Sequence, residues 1–273
     1  MRPPGGLVAI LLVLAGGPAR ALELQGNFVQ GGLVLGQTEP GARVSLAGHP
    51  VRVAPDGRFV FGFGRDHGPE ATLTVRLPGG GETQRSLAIA PRHYRIQRID
   101  GLPPGKVTPN PADLARIRRE NAEIARIRAL DTPEPLFESG WIWPARGVIS
   151  GVFGSQRVLN GKPRRPHYGV DIAAPIGTPV RAPADGIVRL AAPDLFYTGN
   201  TLMLDHGFGL VSVYSHLSAL EVAVGDRVTQ GTLIGRIGAT GRVTGAHLDW
   251  RLNWFGERLD PALLVGPMPA APD

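Results

Sequence analysis

The hydrophobic pattern divides the chain into short apolar/polar alternations separated by turn residues, with one long helical exception. Thr72-Leu73-Thr74-Val75-Arg76-Leu77 alternates strictly, as a strand buried on one face does. Phe28 to Leu35, Arg43 to Leu46, Val51 to Val53, Arg58 to Phe63 and Thr83 to Ile89 read as further strands. Pro40-Gly41, Asp56-Gly57 and Pro78-Gly79-Gly80-Gly81 punctuate them. This spacing predicts a small β-sandwich, immunoglobulin-like in general form, over residues 22–92. His49, His67 and His93 show no ligand spacing and read as ordinary surface or turn residues.

The exception is a predicted helix over 111–130. Asn110 suits its N-cap and Pro111 its first turn. Leu114, Ile117, Ile124, Ile127 and Leu130 form an apolar stripe, and Arg116, Arg118, Arg119, Arg126, Arg128, Glu120 and Glu123 cover the rest. Around it, residues 93–140 read as linker: Gly101-Leu102-Pro103-Pro104-Gly105 breaks regular structure, as do Pro133 and Pro135. From Trp141 the chain turns β-rich again, with strand candidates at 148–153, 167–172, 186–190, 201–204, 210–215, 227–228, 233–237 and 247–252. A second β domain is expected over 141–265, and a disordered tail over 266–273.

Composition adjusts this picture in three places. Among 273 residues, Gly 38 and Pro 26 favour many turns over long helices. There is no Cys, which excludes disulfides and thiolate metal ligands. Arg2, the apolar run Leu7 to Ala15 and Ala19-Arg20-Ala21 read as an export signal over 1–21, too short to span a bilayer. The export signal places the chain in the periplasm or cell envelope, with no transmembrane segment in the mature part. The formal charge is +6, nearly all from Arg, which suits a polyanionic wall or membrane. No arginine cluster is interleaved with aromatics, so nucleic acid is not an expected partner.

The candidate chemistry lies in the second β region. In an extended strand, His167 and Asp171 of Pro166-His167-Tyr168-Gly169-Val170-Asp171 point one way. His247 and Asp249 of His247-Leu248-Asp249 do the same. Imidazoles and carboxylates arranged this way can converge on a divalent metal, and His216 in Tyr214-Ser215-His216-Leu217 is a candidate for the same pocket. Val224 to Gly231 is similar to the turn of biotinyl carrier modules but lacks the modifiable Lys. Gly238 to Gly245 lacks the Gly-Lys-Ser/Thr ending of a phosphate loop.

These motifs occur among further blocks: Gly151-Val152-Phe153-Gly154, Gly177-Thr178-Pro179-Val180, Ala184-Asp185-Gly186, Asp205-His206-Gly207, Gly225-Asp226 and Thr240-Gly241. In this order, from about Trp143 to Pro261, the region resembles the lysostaphin-like, LytM-type zinc endopeptidases of bacterial cell walls. The resemblance implies a mainly β protein with a compact antiparallel core, a duplicated hybrid motif. It implies one Zn²⁺ held by His167, Asp171 and Asp249, with His216 and His247 beside a metal-activated water. The substrate implied is the stem peptide of peptidoglycan, cut at its cross-links. Asp249 stands where the family has a third His ligand, and Arg251 where it often has Glu. A His-Asp-Asp set still suits zinc or a harder divalent metal. Alternatively, Asp249 pairs with Arg251, the site is degenerate, and the module binds wall or activates another wall hydrolase or envelope protein. His206 matches the family and reads as structural. Arg157, Asn160 and Tyr168 are groove candidates.

Overall fold

The computed structural model describes residues 22–269. The export-signal segment 1–21 and residues 270–273 of the expected tail lie outside the described residues. The fold is mainly β. In the N-terminal part, strands Glu23–Gly26, Leu33–Gln37 and Arg58–Gly62 form one antiparallel sheet. His49–Val51, Arg43–Leu46, Glu70–Arg76 and Glu82–Ala88 form another. The alternation of Glu70–Arg76 is realised, with Ala71, Leu73 and Val75 buried. The expected strand 28–35 starts only at Leu33, because Gly31 and Gly32 are drawn into a turn bonded to Phe63 and Val29.

The two sheets share a core with Phe59, Phe61, Phe63 and Leu73, and that core continues without a break into Leu210, Leu252, Trp254 and Leu259 of the C-terminal part. Arg58–Gly62 is therefore buried on both faces. That explains why its sequence is a run, Phe59-Val60-Phe61, rather than an alternation.

The helix runs Pro111–Arg128, with the Asn110 side chain accepting from the Asp113 N–H. Its buried end, with Ile127, packs on Leu190, Leu195, Met203, Val211 and Val213 of the C-terminal sheet. The stretch 94–109 carries more structure than its Pro and Gly content suggests. Strand Ile96–Ile99 pairs in parallel with Gln156–Leu159, and the helical turn Pro104–Val107 brings Leu102 and Val107 onto Leu159. Gly266 and Met268 are likewise tied down, since Gly266 accepts a hydrogen bond from Trp143 Nε1 and Met268 packs against the core of the C-terminal part that includes Ile172, Leu248 and Trp250.

The C-terminal part is built on a ten-stranded sheet. Its main path runs Arg227–Val228, Gly186–Leu195, Gly199–Gly207, Leu210–Leu220, His247–Trp254, Val170–Ala173, Val148–Gly151, antiparallel throughout. His247–Trp254 positions the chemistry. Its even residues, Leu248, Trp250, Leu252 and Trp254, are buried apolar side chains, and its odd residues are all polar. Burying the apolar face, at about 25 cal/mol per Å², fixes the register. His247, Asp249, Arg251 and Asn253 are then held on the other face. No helix among the described residues is long and apolar enough to cross a membrane.

Candidate active site

Two motif strands bring the carboxylates together. In the pairing of Val170–Ala173 with His247–Trp254, Asp171 lies directly opposite Asp249. Like charges facing each other across a ladder are unfavourable unless compensated. Here an arginine compensates each. Arg157 donates from Nη2 to Asp171 Oδ2 at 2.6 Å. Arg251 donates from Nε to both oxygens of Asp249, at 2.9 and 3.0 Å, and from Nη2 to Oδ2. Space for the carboxylates comes from glycines. A Cβ on Gly151 would lie 2.2 Å from Asp171 Oδ2, and one on Gly169 would lie 2.7 Å from Asp249 Oδ1.

His167 precedes the first motif strand and is buried, its backbone N–H bonded to Ser155. Its Nε2 lies 3.0 Å from Asp171 Oδ1, yet neither atom has a hydrogen-bond partner. One atom from each of His167, Asp171 and Asp249 falls within 4.8 Å of the others. Donors sharing one tetrahedral zinc, with bonds of about 2.0–2.1 Å, sit about 3.3 Å apart. The orphaned His167 Nε2 and Asp171 Oδ1, 3.0 Å apart in a buried cradle beside the Asp249 carboxylate, suit a divalent ion. Asp249 keeps about one lone-pair site beyond the three that Arg251 uses, since a carboxylate offers about four. The two arrangements open at Asp249 thus coexist: its carboxylate faces His167 and Asp171 and also holds Arg251.

His216 reaches the same place by an irregularity that no periodicity reports. The register of Leu210–Leu220 against Gly199–Gly207 shifts at this point, and His216 has φ +67°. The bulge turns the imidazole onto the cavity face that Ser215 and Asp249 share. His216 Nδ1 is 2.8 Å from the Thr240 carbonyl and His247 Nδ1 is 3.0 Å from the Gly245 carbonyl. A carbonyl only accepts, so both Nδ1 atoms carry the proton and both Nε2 atoms are left as acceptors. The two rings are 4.8 Å apart, and His247 Nε2 is 3.8 Å from Asp171 Oδ1.

The electrostatics follow from burial against charge. Burial pushes the His216 pKa down to about 4, against the pull of Asp249, so the ring is neutral at pH 7. Burial would raise the Asp249 carboxyl, but Arg251, His167 and His216 hold it well below the usual carboxylate range. Burial opposes ionisation of Asp171 too, and the neighbouring His167 and Arg157 prevail.

The remaining residues singled out from sequence separate. Arg157 and Tyr168 line the cavity beside these groups. Asn160 does not reach it: its amide bonds both ways to the backbone of Leu102 and holds that turn. His206 is fully buried between the Asp185 carbonyl and Ser212 Oγ, away from the cavity. Sequence reasoning did not single out Arg128, Arg164, Arg165, Arg242 and Arg258, which line the cavity with Arg157 and Arg251. The adjacency of Arg164 and Arg165 to the first motif was their one visible signal.

Residues 165–261 match the model of peptidase family M23. A peptidase M23 of Pseudomonas aeruginosa, known from its crystal structure, is similar with a TM-score of 0.68 and 31% identity, over 86% of this chain and 94% of that one. The DD-carboxypeptidase/endopeptidase Mpg of Neisseria meningitidis is 43% identical over 105 residues, 38% of this chain and 24% of its own length. The peptidoglycan DD-endopeptidase ShyA of Vibrio cholerae is 45% identical over 87 residues, 32% of this chain and 20% of its own length. The match spans about a quarter or less of the length of these curated relatives.

Proposed function

The chain belongs to peptidase family M23, and from that premise we propose that it is an exported metallo-endopeptidase that hydrolyses peptide cross-links of bacterial peptidoglycan in the periplasm or cell envelope. One observation carries the reading. The orphaned donors of His167 and Asp171, with Asp249, sit within 4.8 Å of one another, beside two histidines whose Nε2 atoms are free to accept a proton. The relatives named for peptidoglycan endopeptidase activity support the substrate class.

His167, Asp171 and Asp249 would hold one zinc ion, or a harder divalent ion that suits two carboxylates. The ion would supply Lewis acidity toward the scissile carbonyl and a water nucleophile at neutral pH. This chain's residues do the rest. The carbonyls of Thr240 and Gly245 fix the tautomers of His216 and His247. One Nε2 takes up the proton that the attacking water loses. The resulting imidazolium returns it to the amine nitrogen as the C–N bond breaks. Arg157 and Arg251 keep Asp171 and Asp249 ionised and aimed. The paired sheets of the N-terminal part support an immunoglobulin-like sandwich that adjoins the catalytic half.

A second reading has its own observation. Arg251 donates to both oxygens of Asp249, the arrangement expected of a retired site in a module that binds wall or activates another wall hydrolase. Metal content and wall hydrolysis, measured on the parent and on Asp249→Asn, decide between them. Asparagine keeps an acceptor for Arg251 but is a poor zinc ligand. Stoichiometric zinc and hydrolysis in the parent, both lost in Asp249→Asn, establish the enzyme. A parent without metal or hydrolysis overturns it.

A further inference from the structure

Behind the candidate metal site lies a cavity of about 440 Å³, roofed by Ile117, Ile124 and Arg128 of the long helix and open to His167, His216 and Asp249. Seven arginines line it, against the three carboxylates Glu120, Asp171 and Asp249 within or directly behind the lining. All three carboxylates are already engaged: Asp171 by Arg157, Asp249 by Arg251, and Glu120 by Arg116 from outside the cavity.

Five guanidiniums are left without a carboxylate among the described residues: Arg128, Arg164, Arg165, Arg242 and Arg258. Neutral groups hold several of them. Arg164 donates to the Val107 carbonyl at 2.9 Å, and Arg258 to Asn253 Oδ1. Arg242 lies 4.4 Å from the Tyr197 ring centroid. Arg128 is less satisfied, since its Nε is buried with no hydrogen-bond partner.

Their mutual repulsion is felt. Burial, then Arg258 and Arg251, push the Arg128 pKa down to about 8, and burial with Arg251 brings Arg258 down to about 10. Arg128, Arg164, Arg242 and Arg258 are half-buried while Arg165 is exposed; a cation withdrawn from water without a partner is unfavourable, and a counter-anion recovers that cost. The guanidinium fork matches a carboxylate in two-point geometry. The volume is that of a small-ligand pocket, about 300–1,000 Å³, and exceeds the need of a single phosphate. Tyr168, Tyr197, Ile117 and Ile124 add surface suited to the carbon skeleton of an organic anion.

We propose that this cavity binds a segment of peptide bearing two or more carboxylates, held by Arg128 and Arg258 with Arg164, Arg165 and Arg242 around them. That the peptide is part of the substrate rests on the hydrolase reading, because the cavity opens onto the candidate metal site; the anion site itself does not.

The test is calorimetric titration of the full chain, stripped of metal with EDTA, using tri-L-glutamate, tri-L-glutamine and inorganic phosphate as probes. Triglutamate is expected to bind once per chain and triglutamine not at all. Arg128→Gln and Arg258→Gln should each weaken triglutamate at least tenfold. Arg128→Gln should not lower the melting temperature, since Arg128 leaves no carboxylate unpaired, whereas Arg258→Gln should lower it modestly because the buried Asn253 Oδ1 loses its donor. Arg85→Gln, on the exposed Glu82–Ala88 strand, should change nothing. Equal binding of triglutamine, undiminished binding by both variants, or phosphate binding as tightly as triglutamate overturns the assignment to an acidic peptide. Hydrolysis of purified wall, assayed in parallel, separates the two readings. Binding without cleavage keeps the anion site and overturns the hydrolase; cleavage without binding does the reverse.

Discussion

Replacing Arg251 by Met tests whether the Asp249 carboxylate is shared between a guanidinium and an ion. Arg251 supplies three hydrogen bonds to a carboxylate only 1% exposed. Met fills a similar volume without charge. Removing one partner of a buried ion pair costs about 3–5 kcal/mol, because the other charge stays buried and uncompensated. For a chain of this size that lowers the melting temperature by about 6–20 °C, at about 2–4 °C per kcal/mol. The deficit should depend on metal. Zinc at about 100-fold its Kd stabilises a folded chain by about 2.7 kcal/mol. In Arg251→Met it also neutralises the stranded carboxylate, so its effect should exceed that in the parent. The assay is thermal unfolding of both proteins by circular dichroism, after EDTA dialysis and again with zinc chloride. Equal zinc-induced shifts in parent and variant would refute the reasoning, because the freed carboxylate would then not face the ion.

Asp249→His alone should destabilise the fold, since it strands Arg251, whereas Asp249→His with Arg251→Glu should recover stability and bind zinc more tightly than the parent, read by zinc content after dialysis. His206 is fully buried and its pKa is pushed from 6.5 down to about 4 by burial. A lowered folded-state pKa gives stability that is full above the unfolded value and is lost as pH falls, so about 3 kcal/mol should disappear between pH 6.5 and 4. Denaturant titrations across that range should show the slope, and His206→Gln should reduce it by about half, the rest coming from His216, whose pKa burial also lowers to about 4. Because Phe61 is 0% exposed in the core shared by both halves, Phe61→Ala should cost about 3–5 kcal/mol. It should lower one common transition seen by calorimetry; two separate transitions would contradict a continuous core.

The sequence made legible whatever is local and periodic. The alternation of His247–Trp254 and the cap and stripe of the Pro111–Arg128 helix are physical preferences of consecutive residues, and the structure keeps them. What stayed hidden depends on two segments meeting. Ile96–Ile99 is a short strand of alternately exposed residues whose partner lies about sixty positions away. His216 belongs to a buried run, and only a register shift against the neighbouring strand turns its ring to the cavity. Arg157 reaches Asp171 from a different sheet, and Arg128 reaches the cavity from the polar face of the long helix. The Phe59-Val60-Phe61 run reported burial on both faces, but not that the C-terminal half supplies one of them.

The two departures from the family pattern, Asp249 and Arg251, are better understood as one change than as two. Asp in place of His adds a negative charge beside the ion. Arg in place of Glu removes one negative charge and adds a positive one. Since their side chains are bonded to each other, the cost of either alone exceeds the cost of both, which is the non-additivity expected of contacting residues. Arg157 against Asp171 repeats the arrangement one strand away. The two pairs leave the immediate site neutral before an ion enters. A divalent ion would then bring charge that no remaining side chain cancels, and the surplus arginines of the adjoining cavity enlarge it. The missing negative charge must come from water-derived anion, oxyanion or ligand carboxylate. On the metal-enzyme reading, the same substitutions that look like decay of a metal site would leave it suited to hold an anion beside a divalent ion.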